Sequence, residues 1–164
     1  MNFSTRRWKA SDTSSLVNYM NNVHIWSKLT DDTVLPFTED DAKLYMQHEN
    51  PAYSQSYAVI YDNSVIGGIK FTCCDAPNNI VYRMNFWLDA EFWNDEEVAS
   101  VLKDMVRFCF FHFPAIKLVA NVMESDEPIQ KALLAAGFER EAVLKKSILK
   151  SGVVDNLHIF SITE

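Results

Sequence analysis

Between about Asp95 and His112 the apolar residues Val98, Val101, Leu102, Met105, Val106, Cys109 and Phe110 recur at i, i+3, i+4 and i+7. That period belongs to a helix and not to a strand. A long helix with one apolar stripe must bury it against another layer. The flanking segments, Ile80 to Leu88 and Ile116 to Val122, read as strands, so the chain is expected to place this helix on a sheet.

The remaining elements are read outward from that unit. Asn2 to Trp8 alternate as a first strand, and Ser11 and Asp12 supply N-cap chemistry for a helix through Leu16, Val17, Tyr19 and Met20. Thr38 with Asp41 has capping-box spacing and opens a second helix, running through Ala42, Tyr45 and Met46 to about His48. Ser56 to Tyr61 and Val65 to Cys73 flank the turn residues Asp62, Asn63 and Ser64, which predicts a hairpin. Pro128 sits in the first turn of a last helix that stops at Gly137, a suitable C′ residue. Phe138 to Leu149 and Val154 to Ile162 then form a closing hairpin. Hairpins mixed with strand-helix-strand units imply an α+β fold, a mixed central sheet of about seven strands flanked by about four helices. With only 4 glycines and 5 prolines in 164 residues there is no linker, and residues 1–164 are expected to form a single domain.

Charge excludes some functions. The 15 basic and 22 acidic side chains give a net charge of −7, whereas duplex binding requires a concentrated basic face; no nucleic acid is expected as a partner. The most apolar stretch, Val98 to Ala120, is interrupted by Lys103, Asp104, Arg107, His112 and Lys117, so no membrane span is expected. Arg6, Arg7 and Lys9 are followed by no apolar segment, which argues against a secretory leader. Three cysteines, two of them the neighbours Cys73 and Cys74, fit a reduced cytoplasm better than a disulfide framework. His24, His48, His112 and His158 have no partner at metal-ligand spacing, and no metal is expected. The aromatic run Phe108, Phe110, Phe111 and Phe113 reads as core.

The element order, with Trp87-Leu88, Phe92-Trp93, the long helix, and Asn121-Val122 followed by Ala135-Ala136-Gly137-Phe138-Glu139, resembles the GNAT superfamily of N-acetyltransferases, most nearly its ribosomal-protein amino-terminal type. The resemblance spans nearly the whole chain. It implies acetyl-CoA as co-substrate, and as acceptor a small-molecule amine or a peptide amino terminus that attacks the thioester directly. A homodimer is compatible with it. The cleft would lie between the fourth and fifth strands, where the backbone of Phe86, Trp87 and Leu88 offers N–H groups to the donor.

Family side chains map unevenly onto this sequence. The family's pyrophosphate loop, Q/R-x-x-G-x-G/A, uses bare backbone at a helix start. Here the stretch is Trp93-Asn94-Asp95-Glu96-Glu97-Val98. Asn94 and Glu97 have capping-box spacing, and the three carboxylates of Asp95, Glu96 and Glu97 load the first turn with negative charge. Arg83 stands where the family often has a glutamate base, and an arginine cannot accept a proton. Nearby Tyr82 is the one candidate base, and only with a strongly lowered pKa. Ile129 stands at the serine position of the last helix, and Asp126 replaces the asparagine that touches pantetheine or substrate amide. Asn85 either marks a bulge that splays the two strands or is a polar strand residue. Ile25 and Trp26 are the acceptor-wall candidates, with Arg83 and Asn85 beside them; Asp31, Asp32 and Glu39 would favour a cationic acceptor, and Tyr53 and Tyr57 could add aromatic walls. The alternative is a GNAT-fold domain that has lost CoA binding and serves as a ligand-binding or interaction module.

Overall fold

The computed structural model describes residues 3–47 and 52–164; Asn2 and His48 lie outside them. Seven strands form one mixed sheet in the order β1-β2-β3-β4-β5-β7-β6. These are β1 (Phe3–Arg6), β2 (Ser54–Tyr61), β3 (Ser64–Cys73), β4 (Val81–Leu88), β5 (Lys117–Met123), β6 (Glu139–Lys150) and β7 (Val153–Thr163). The β2–β3 connection is the two-residue turn Asp62-Asn63, both at positive φ, the geometry that matches strand twist.

Every neighbouring pair is antiparallel except β4 and β5, which run parallel. A parallel pair needs a crossover, and α4 (Asp95–His112) provides it. Val98, Val101, Leu102, Met105 and Cys109 face the sheet, packed with Ile69, Phe71, Met84, Leu118 and Phe160. Phe111 points the other way and is 86% exposed, because the helical period rotates it off the stripe; it is not core. On the same face α5 (Glu127–Ala135) buries Ile129, Ala132 and Leu133 and ends at Gly137, whose φ of +100° suits glycine.

The opposite face holds α1 (Thr13–Met20), α2 (Val23–Trp26) and α3 (Glu39–Met46). They enclose a second cluster of Leu16, Met20, Ile25, Leu29, Phe37 and Ala42, and Trp87 of β4 belongs to it. The glycine pair of β3 allows this: a Cβ at Gly68 would stand 2.6 Å from Trp87 Nε1. The short helix α2 adds to the four expected from periodicity; Asn22 caps it through a bond from the His24 amide at 2.9 Å. A capping box of Thr38 and Asp41 starts α3, as its sequence predicts.

Only Val81, Tyr82 and Arg83 pair with β5, opposite Lys117, Leu118 and Val119. Beyond Arg83 the two strands diverge and leave a cleft. Asn85 marks no bulge, since the β3–β4 register is continuous from Gly67↔Leu88 to Cys73↔Tyr82. Ile129 from α5 and Lys28, Leu29 and Thr30 from the segment after α2 line the opening that the divergence leaves.

Candidate functional site

Strand alternation decides which backbone groups enter the cleft. The bonds Asp89 N→Ile66 O (2.7 Å) and Cys74 N→Val81 O (2.8 Å) fix the odd-numbered residues of β4 as those bonded to β3. The N–H and C=O groups of Met84, Phe86 and Leu88 therefore point toward β5, past the end of its pairing. The backbone of Phe86 and Leu88 thus faces the cleft, but that of Trp87 does not: it turns to Gly68 on β3, and the Trp87 side chain fills the second core cluster.

One carbonyl on each of the two strands already has a partner. Trp93 Nε1 donates to Leu88 O at 3.1 Å, and Thr30 Oγ1 donates to Asn121 O at 3.3 Å across the cleft mouth. Trp93 also stacks near Phe86, with ring centroids 6.5 Å apart. Phe86, Trp87, Leu88, Trp93, Ile25, Lys28 and Ile129 line one apolar hollow. Adjoining it, Asn85, Phe86, Asn121 and Ile129 line the narrow opening between the strands. The loop from β4 to α4 is anchored from behind, where the Tyr19 hydroxyl donates to Asp89 Oδ2 (2.9 Å) and Val65 O (3.1 Å).

The start of α4 is capped by its own side chains. Asn94 Oδ1 accepts from the Glu97 amide at 2.9 Å, and the Asn94 amide bonds back to the Glu97 carboxylate. One of the helix's free N–H groups is therefore consumed, and the carboxylates of Glu96, exposed, and Glu97, half-buried, remain beside it. Val98 offers nothing to a ligand, since it is 1% exposed in the main core. Further along, Lys103 is exposed, and Arg107 pairs with Asp104 at 3.1 Å.

The catalytic candidate fails on position. Tyr82 lies where β4 and β5 are still paired, buried against Phe113 with centroids 4.9 Å apart. Burial, followed by Cys73, Cys109 and Asp75, pushes its phenol up, opposite to what a base needs. Arg83, the last paired residue, is exposed and lines none of these hollows, whereas Asn85 does line the opening. Tyr57 is no acceptor wall either; it is core, 4.7 Å from Phe108 between ring centroids. Ile25 is 7% exposed, mostly core with an edge on the hollow. Trp26 acts as a bracket, with its Nε1 bonded to Thr33 O at 2.7 Å and Lys150, the last residue of β6, over its ring at 4.0 Å.

Two residues carry more of the site than their sequence context suggests. Asp126, at the N-cap position of α5, is 5% exposed and makes no side-chain cap bond. Burial pushes its carboxyl up, against the pull of Lys28 and the Ile129 amide. Lys28 lies with its Nζ 3.8 Å from Asp126 Oδ1 and 5.1 Å from the centroid of the Trp93 ring. No motif surrounds Lys28 in the sequence; only the turn after α2 brings it to the cleft.

Residues 4–139 match the model of the acetyltransferase (GNAT) domain. No curated protein matches the chain in sequence. Among solved structures, RimL, a ribosomal alpha-N-protein acetyltransferase in complex with coenzyme A, superposes with a TM-score of 0.85 at 13% identity, over 99% of this chain and 94% of that one. The ribosomal-protein-S5-alanine acetyltransferase from Vibrio fischeri gives 0.83 at 17% identity, over 99% and 93%. Spermidine N-acetyltransferase from Vibrio cholerae, in complex with CoA and spermine, gives 0.81 at 14% identity, over 98% and 95%. At such identities the likeness is one of fold. No described helix is long and apolar enough to cross a membrane.

Proposed function

The chain belongs to the GNAT acetyltransferase family, and on that premise we propose that it transfers an acetyl group from acetyl-CoA to a primary amine, either a small amine or a peptide amino terminus. The observation that carries this reading is the divergence of β4 and β5 after Arg83 and Val119. It leaves the backbone of Met84, Phe86 and Leu88 facing a cleft that opens toward α2, and such an edge suits an extended amide-bearing chain. Acetyl-CoA supplies the thioester. The strand's N–H groups would polarise its carbonyl, and Phe86, Trp93 and Ile129 would exclude water from around it.

No side chain is assigned as base. Holding amine and thioester in contact contributes much of the rate in such a reaction, and water would take the proton. Structural neighbours named as ribosomal-protein and spermidine acetyltransferases support an amine acceptor. Phe86, Leu88 and Trp93 are assigned to the donor side and Trp26 and Asn85 to the acceptor side of a single domain, 1–164, working in the cytoplasm. The test is release of free thiol from acetyl-CoA in the presence of primary amines, with loss of the signal when the amine is omitted.

One observation favours a second reading, in which the domain no longer binds CoA and holds another ligand. At the N-terminus of α4, where the family binds pyrophosphate, the Asn94–Glu97 cap takes the Glu97 amide. Absence of acetyl-CoA binding would select that reading.

A further inference from the structure

The contact between Lys28 and Asp126 stands where three hollows meet. Lys28 lines the opening between β4 and β5, the apolar hollow beside Trp93, and a third with Ser125, Asp126, Lys150, Ser151 and Asp155. This third hollow is a depression open to solvent. A carboxylate as buried as that of Asp126 normally collects hydrogen bonds on both oxygens. Neither oxygen has one of full geometry: Lys28 and the Ile129 amide pull on the carboxylate from nearby without completing a bond. The residue occupies an N-cap position without capping, and Lys28 Nζ stops at 3.8 Å with its side chain 41% exposed.

A carboxylate in this state has acceptor capacity for a donor with several N–H groups. We propose that Asp126 anchors the primary ammonium of the acceptor, and that Lys28 is a resident cation which the acceptor displaces. The identity of the occupant rests on the acetyl-transfer reading; the ammonium chemistry of the subsite does not. Met123, Pro128 and Val153 give the hollow an apolar wall, which fits an aliphatic stem behind the charged head. Lys28, once displaced, keeps the Trp93 ring as its partner. An ammonium at Asp126 stands three residues from Ile129, which lines the strand opening. Asp155 is engaged by Ser125, whose amide and hydroxyl donate to it at 3.1 and 2.6 Å, so it braces the wall rather than competing for the cation.

The test is calorimetric titration with n-butylammonium, without acetyl-CoA, against n-butanol as the uncharged control. Asp126→Asn keeps the shape of the residue, removes its charge, and is expected to weaken butylammonium at least ten-fold while leaving butanol unchanged. Lys28→Met removes the resident cation from an exposed position and is expected to tighten butylammonium by about ten-fold, a change of one decade in Kd. Because this second effect is a gain, it does not depend on how Asp126→Asn folds. Equal butylammonium affinity in wild type and a folded Asp126→Asn protein, or no tightening in Lys28→Met, overturns the proposal. A protein that binds butylammonium through Asp126 yet releases no thiol from acetyl-CoA contradicts the transfer reading alone.

Discussion

Trp93 reaches back from the loop before α4 and donates its indole N–H to the carbonyl of Leu88 at 3.1 Å. The last cleft-facing carbonyl of β4 is thereby closed by a side chain, and the cleft-facing carbonyls that remain on β4 are those of Met84 and Phe86. Trp93→Phe keeps a ring beside Phe86 and Lys28 but removes the donor. Loss of one such bond is expected to cost about 0.5–1.5 kcal/mol, read as a lower urea midpoint with unchanged m-value.

Tyr82 lies behind the paired part of the two strands, so it cannot reach a reacting amine. Tyr82→Phe is expected to leave kcat and its pH profile within about two-fold of wild type, since the proton-transfer contribution of a true base is typically 10²–10⁴-fold. A loss of that size would place the base where the fold does not.

The first turn of α4 opposes an anionic donor. Glu96→Gln combined with Glu97→Gln removes two charges while a glutamine at the third position still serves the Asn94 cap. Each charge held near a phosphate costs about 1 kcal/mol in water-like surroundings. The double variant is expected to bind CoA roughly ten-fold tighter at low salt, with the gain shrinking as salt rises. Unchanged affinity would mean that both carboxylates turn away from the phosphates.

Stability carries a pH signature from the far end of the sheet. Burial raises the Asp12 carboxyl, but two bonds from Arg6 at 2.7 and 3.1 Å and one from the Lys9 amide at 2.8 Å outweigh it, and its pKa lies below the ordinary 3.8. A depressed acid stabilises the fold above its unfolded pKa and loses that contribution as pH falls through the folded one. Wild type is therefore expected to lose stability on acidification below about pH 4. Arg6→Met should lower stability at pH 7 by about 1–3 kcal/mol, and it should flatten that acid limb; thermal melts between pH 2 and 7 check both.

How much of this the sequence reveals follows from how local each cause is. The α4 stripe, the Thr38–Asp41 box, the Asp62-Asn63 turn and Gly137 are each decided within a few residues, and each lies where the pattern puts it. The Asn94–Glu97 cap is equally local and equally legible. What fails to be legible depends on contacts between distant segments. Tyr82 and Arg83 are close in sequence to the cleft, but the parallel pairing with β5 ends just after them. Trp87 is separated from the donor edge by strand alternation and the Gly68 gap. Lys28 and Asp126 are almost a hundred residues apart, and neither sits in a pattern that announces the other.

The central claim is that this cleft binds acetyl-CoA. Calorimetric titration of the purified protein with acetyl-CoA at low and at moderate salt, with free CoA alongside, tests it most directly. The account predicts a Kd of about 100 μM or tighter, weakening as salt rises; no detectable binding at millimolar acetyl-CoA would contradict it.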